Sequence, residues 1–147
     1  MSDERMDNIF YVCTVIEYVS RITHNRPKDI VAKLTKEDIE HQIKVANVNH
    51  CLSYEQIADE WIEDFNIEDG NYFNVEECKY EVPSHIAIGR VYQQLILRET
   101  QEGKEVQTLI DVFSSFISDE ISNYNSNVYY SNPDYIRCSY EAGMLLD

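Results

Sequence analysis

The sequence predicts an all-α fold: a single compact bundle of six or seven helices over residues 1–147, with at most one short β-hairpin near residues 72–82. Three observations predict it. Apolar residues recur at spacings of three and four through most of the chain, the period of one buried helix face. Ser, Thr or Asn precedes several of these runs, where a side-chain oxygen can accept from the free amides of a first turn. Gly (4) and Pro (3) are scarce, so no flexible linker divides the chain, and no repeat of fixed period appears. If the bundle has sub-units, they are residues 1–69 and 84–147, joined by 70–83.

The first element carries Ile9, Val12, Cys13, Ile16 and Val19 on one face, and Phe10, Val15, Tyr18 and Ile22 widen the stripe. A stripe this broad marks a central helix. It should stop near "THNRP", because the residue before Pro27 is pushed out of helical geometry. Pro27 can open the short next helix, where its missing N–H costs nothing. Thr35 and Asp38 form a capping box for "KEDIEHQIKVANVN", and Ser53 with Gln56 forms another. From Ser53 the stripe Ile57, Trp61, Phe65 runs toward Gly70, which is expected to end an acidic helix over 54–69.

Residues 70–83 are ambiguous. Phe73 and Val75 alternate like a strand, as do Cys78, Tyr80 and Val82, yet two strands alone are marginal. A hairpin and an irregular connection fit equally. Ser84 then caps a helix bearing Ile88, Val91, Tyr92, Leu95 and Ile96. After the turn "TQEGK", the spacing of Val106, Leu109, Ile110, Phe113, Phe116, Ile117, Ile121 and Tyr124 predicts one long helix, with Gln107, Asp111, Ser114, Ser118 and Ser122 on its other face. Asn132 and Pro133 start a last helix that Gly143 terminates.

The net charge is -15, and it is unevenly placed. Residues 1–54 carry eight acids and seven bases; 55–81 carry ten acids and one base; 82–147 carry nine acids and four bases. The middle segment owns most of the excess. Direct binding to nucleic acid through phosphates needs clustered Lys and Arg, so it is disfavoured. A basic protein partner fits this charge. The start "MSDERMDNIF" lacks a basic region followed by an apolar run, and no stretch approaches the roughly 18 apolar residues of a membrane span. Cys13, Cys51, Cys78 and Cys138 form no C-x-x-C pair. These features lead to the expectation of a cytoplasmic protein with free thiols and no membrane contact.

Motifs for chemistry are missing. There is no G-x-S-x-G elbow, P-loop or G-x-G-x-x-G. His41, His50 and Cys51 lack the tight paired spacing of a zinc site. Asp64, Asn66, Glu68, Gly70 and Glu76 resemble a calcium loop, but its required Gly and Glu both stand one place late. His85 at a helix start would have a lowered pKa, with no nucleophile near it in sequence. No catalytic residue, metal or cofactor is assigned.

Two surface features remain. Glu55, Asp59 and Glu63 fall on one line of the acidic helix, with Glu60 and Asp64 beside it. A row of this kind is either a solvated face or a docking surface for a basic partner. The second is "NYNSNVYYSNPDYIRCSY" (123–140), with five of the chain's eleven tyrosines. Tyr124 continues an apolar stripe and is expected in the core. Tyr135 and Tyr140 can pack the last helix. Tyr129 and Tyr130 are adjacent in a loop, so one of them should face solvent, and exposed tyrosine is an interface residue. The candidate partner-binding set is therefore Glu55, Asp59, Glu60, Glu63, Asp64, Tyr129, Tyr130 and Tyr135.

From "IFYVCTVIEYVS" through "VNHCLSYEQIADEWI", the chain resembles a short uncharacterised bacterial helical domain. That family is found beside toxin-like ADP-ribosyltransferase domains, in toxin–antitoxin or mobile-element loci. The resemblance rests on an aromatic first helix with Glu17 and Tyr18, then a turn at His50 before an acidic helix. Asn49 stands where the pattern has leucine. It covers under half the chain and supplies no catalytic residues; it implies a partner-binding, antitoxin-like role. The leading expectation is a non-enzymatic interaction domain that docks on a basic protein. The alternatives are a nucleic-acid-mimicking inhibitor, a small enzyme with an unrecognised site, and a homodimer joined through the tyrosine loop.

Overall fold

A computed structural model describes all 147 residues. Its regular elements are all helices. The elements are α1 (Asp3–Thr23), α2 (Pro27–Val31), α3 (Lys36–Asn49), α4 (Tyr54–Asp64), α5 (His85–Glu99), α6 (Glu105–Ser114), α7 (Phe116–Ser122) and α8 (Pro133–Ala142), with a 3-10 turn at Val128–Tyr130 before α8. One cluster of 27 buried apolar side chains draws on all eight helices, so the two halves of the chain share a single core.

The broad stripe of the first helix does place it centrally: α1 packs against α2, α3, α4 and, most extensively, α5. Gly89 makes the last contact close. A Cβ at that position would lie 2.1 Å from Thr14 Oγ1 and 2.9 Å from Thr14 Cα. Ile22 departs from expectation and is exposed, because the last turn of α1 buries Val19, Ser20 and Thr23 on its other side. The helix ends on His24 in the left-handed conformation, three residues before Pro27.

Local start and stop signals act as read, Gly70 excepted. Thr35 and Ser53 form complete capping boxes with Asp38 and Gln56. Ser84 accepts from the Ala87 amide and Asn132 from the Asp134 amide. Gly143 takes the left-handed position after α8.

Three expectations are corrected. First, there is no β-hairpin at 72–82. The chain there turns at residues 74–77 and spends its hydrogen bonds on neighbours. Gly70 N donates to Thr23 O and Tyr72 N to His24 O, each at 2.8 Å. Asn74 Nδ2 donates to Ser122 O (2.9 Å) and Lys79 N to Asn125 Oδ1 (2.8 Å). Cys78 and Val82 pack inward while Tyr80 points out, which a strand's period of two forbids.

Second, the acidic helix stops at Asp64, before Gly70. Asn66 adopts φ +52°, a conformation that asparagine tolerates better than most residues. The Ile67 amide then bonds back to Ile62 O. Gly70 serves close approach instead, since a Cβ there would meet Asn25 Oδ1 at 2.3 Å and His24 O at 2.5 Å.

Third, the long helix over 106–124 is two helices, which brings the count to eight. Ser115 is extended (φ -88°, ψ 171°) and caps α7 by accepting from Ile117 N. The break re-aims the face beyond it. Ser118 and Ser122, expected outside, are buried, and Ser118 Oγ lies 2.9 Å from the buried Tyr92 hydroxyl.

Candidate functional site

The acidic helix is built as an amphipathic bar. Ile57, Ala58 and Trp61 are buried, facing α1. Trp61 Nε1 donates to Gln42 Oε1 at 3.2 Å, which tethers the bar to α3. At its start, Tyr54 enters a ring cluster with Tyr11, Tyr18 and His85, at centroid distances of 4.8 to 6.0 Å. Glu55, Asp59, Glu60, Glu63 and Asp64 all project into solvent, and none forms an ion pair. Six of the chain's twelve Lys and Arg side chains pair with other acids. Arg5 holds Glu40 (2.8 Å) and Glu105 (3.2 Å), Arg26 and Lys28 share Asp119, Arg98 holds Asp134, and Arg137 holds Glu99 and Glu141.

The tyrosine-rich stretch divides into structural and surface rings. Tyr124 is 2% exposed. Its hydroxyl donates to Glu17 Oε2, and Arg21 Nε donates to the same carboxylate oxygen (2.7 Å) and to the Tyr124 hydroxyl (3.2 Å). Arg21 Nη2 also reaches Pro83 O at 2.7 Å. Helix α1, the 70–83 connection and the loop after α7 are thereby fastened at one point. Glu17 is fully buried and its Oε1 has no hydrogen-bond partner. Burial therefore raises the Glu17 pKa, against the pull of Arg21 and of the Tyr124 hydroxyl. Burial and the nearby Glu17 charge raise that of Tyr124, which stays a donor.

Tyr129 stands edge-on to Tyr124 (6.2 Å, 87°) and to Tyr130 (4.9 Å, 77°). Tyr130 is 69% exposed, the outward member of the adjacent pair. Tyr135 is half-buried, and its hydroxyl is used to hold Leu146 O at 2.7 Å. Tyr80, outside the set expected from the sequence, is also 69% exposed and joins Tyr129 and Tyr130 in one groove of about 640 Å³. No residue of α4 lines this groove, so the acidic bar and the tyrosines form two separate surfaces.

The groups with reactive potential are placed otherwise. His85 has a lowered pKa, but its first cause is burial among the rings, then the Arg21 charge. Its Nε2 is buried without a partner, and the ring stands edge-on to Tyr18 and Tyr54. Cys13 is fully buried, which raises its pKa and keeps it a thiol. Neither lines the tyrosine groove, nor the groove of similar size where Lys36, Lys44 and Lys104 meet Glu37 and Glu40. His50 bonds to its own helix at Ala46 O. Glu76, from the calcium-like pattern, faces His24 at 3.2 Å. Nowhere do three or more His, Cys, Asp or Glu side chains converge to hold a metal ion, and no helix is long and apolar enough to cross a membrane.

No family model, curated protein or solved structure matches this chain.

Proposed function

We propose that this protein is a non-enzymatic helical module that docks a basic protein partner on the outer face of α4. One observation carries the reading: five carboxylates stand within three turns of one helix, open to solvent, and no base of the chain pairs with them. Like charges a turn apart repel, so the bare row costs the isolated protein some stability. A cationic partner removes that cost, and the same field speeds its approach. The resemblance of the first half to a domain of toxin–antitoxin loci favours an inhibitory, antitoxin-like form of this role.

The test is capture of partners on immobilised protein, followed by elution along a salt gradient. Release by moderate salt is expected. A variant carrying Glu55→Gln, Asp59→Asn, Glu60→Gln, Glu63→Gln and Asp64→Asn should capture nothing. Partners that stay bound from low to high salt, or that bind the variant equally well, would overturn the proposal. Displacement by duplex DNA would mark the partner as a nucleic-acid-binding protein, the mimic form of the same reading.

A further inference from the structure

We infer that Tyr80, Tyr129, Tyr130 and Glu81 form a receiving site for an arginine side chain of a basic peptide. The inference rests on the proposed function only for the sign of the partner's charge; the surface is a different one.

The groove is distinctive in what lines it. Four tyrosines, Tyr124 among them, and one carboxylate line it, joined by Asn125, Ser126 and Asn127. The polar groups there can all accept a hydrogen bond, and no Lys or Arg lines the groove. Two of the rings, on Tyr80 and Tyr130, are mostly in water. Tyr129 and Tyr130 meet at a steep angle, which makes an aromatic corner with ring faces turned in different directions.

The corner is firmly held. Tyr129 backs onto Tyr124, which the Glu17–Arg21 pair pins in the core. The opposite wall is tied across by Lys79 N to Asn125 Oδ1 (2.8 Å), and the loop is braced within by Ser126 Oγ to Asn123 O (2.9 Å). An occupant therefore orders little on binding, which keeps its entropic cost low.

The chemistry favours a guanidinium. Ring faces are electronegative and attract a cation. A planar guanidinium can stack on a ring and offer paired donors to a carboxylate, whereas an ammonium cannot. The chain uses this contact internally three times: Arg26 lies over Tyr72 (4.2 Å), Arg21 over Tyr124 (5.0 Å) and Arg90 over Phe10 (3.8 Å). Tyr80 and Tyr130 are rings of the same kind with no cation of their own. A nucleobase would bring its phosphate into the field of a chain of net charge -15, which disfavours it.

The experiment titrates the full chain with a capped (Gly-Arg)4 peptide, with (Gly-Lys)4 and (Gly-Ser)4 as controls, followed by calorimetry and by NMR of the tyrosine rings. The arginine peptide should bind at least about fivefold more tightly than the lysine peptide and should shift the Tyr80, Tyr129 and Tyr130 rings. Tyr80→Ala and Tyr130→Ala should each weaken it about fivefold or more. Glu81→Gln should erase the preference for arginine. Both tyrosines are exposed, so these variants keep the wild-type melting temperature. The inference is overturned if the peptide does not bind, if arginine and lysine bind alike, or if the tyrosine variants bind like wild type. Loss of binding only in the five-site α4 variant would sink this site and leave the proposed function standing. Loss only in the tyrosine variants would support this site, and the partner capture on the α4 face tests the proposed function separately.

Discussion

Replacing Tyr124 by Phe removes one hydroxyl and nothing else, and the structure says what that hydroxyl does. It donates to Glu17 Oε2 at a point where neither side chain meets water. Arg21 is the carboxylate's other donor, and Oε1 already goes without one. A hydrogen bond to a charged group is worth about 1.5–3 kcal/mol, against about 0.5–1.5 for a neutral pair. The variant should therefore lose about 2 kcal/mol while Glu17 is ionised and about 1 once it is protonated. The direction with pH follows from linkage. Burial raises the native pKa of Glu17 above its unfolded value, so its protonated form stabilises the fold at low pH. That contribution fades as pH rises from the unfolded value through the native one. Loss of the Tyr124 donor raises the native pKa further, by about one unit for each 1.36 kcal/mol removed. The gap between wild type and variant should widen as pH rises through this window and then level off. Urea unfolding at intervals from pH 4, below the unfolded value, to pH 8.5 measures it; 2 kcal/mol moves the midpoint by about 1 M for a slope near 2 kcal/mol/M. A gap that stays constant with pH, or that falls below about 0.5 kcal/mol at pH 8, would refute the account of Glu17 as a buried, hydroxyl-supported carboxylate.

Two further outcomes test the packing and the caps. Gly89→Ala should destabilise in spite of alanine's helical advantage of about 1 kcal/mol, because its methyl would sit 2.9 Å from the Thr14 backbone; with overpacking at about 1–3 kcal/mol, a net loss of about 1–2 kcal/mol by urea titration is expected, and a gain would show that α1 and α5 can part freely. Ser53→Ala removes the acceptor of the Gln56 amide, 3.1 Å away; about 1 kcal/mol should go, and amide exchange at Gln56 should speed up, whereas unchanged exchange would mean that Tyr54 and its ring neighbours alone hold the start of α4.

What could be read from the chain was local. A capping box occupies four residues, so Thr35 with Asp38 and Ser53 with Gln56 announced their helices without knowledge of the fold. Pro27, Asn132 and Gly143 acted in the same way. The features that escaped depend on distant partners. The alternation at Phe73–Val82 suggests a strand, but strands need neighbours, and within this stretch Asn74 and Lys79 bond instead to Ser122 and Asn125 while Gly70 and Tyr72 just before it bond to Thr23 and His24. The run 106–124 keeps helical spacing on both sides of Ser115, so the one extended residue there does not interrupt the pattern, although it turns Ser118 and Ser122 inward. Tyr80 looked like part of that strand, and only the fold brings it beside Tyr129 and Tyr130. Glu17 did leave a trace: a lone acid inside the apolar stripe of α1, four residues before Arg21.

The connection between α4 and α5 gives the two surfaces a physical relation. It carries the chain from the last carboxylate of the acidic bar, Asp64, to the first residues of the groove, Tyr80 and Glu81. Along residues 55–81 ten acids face a single base, and of these acids only Glu76 meets a partner, His24. With no helix or strand to stiffen it, this connection is fixed by bonds to the end of α1 at Gly70 and Tyr72 and to the loop after α7 at Asn74 and Lys79. The loop after α7 holds Tyr124, which is pinned by Arg21, and Arg21 also grips Pro83. The buried Glu17–Arg21 pair thus sets where both walls of the groove stand. A buried ion pair is weak evidence of net stability, whereas breaking one leaves an uncompensated buried charge. Placed here, it holds a nearly unpaired negative strip in one path across the surface, and that path leads from the acidic helix to the rings.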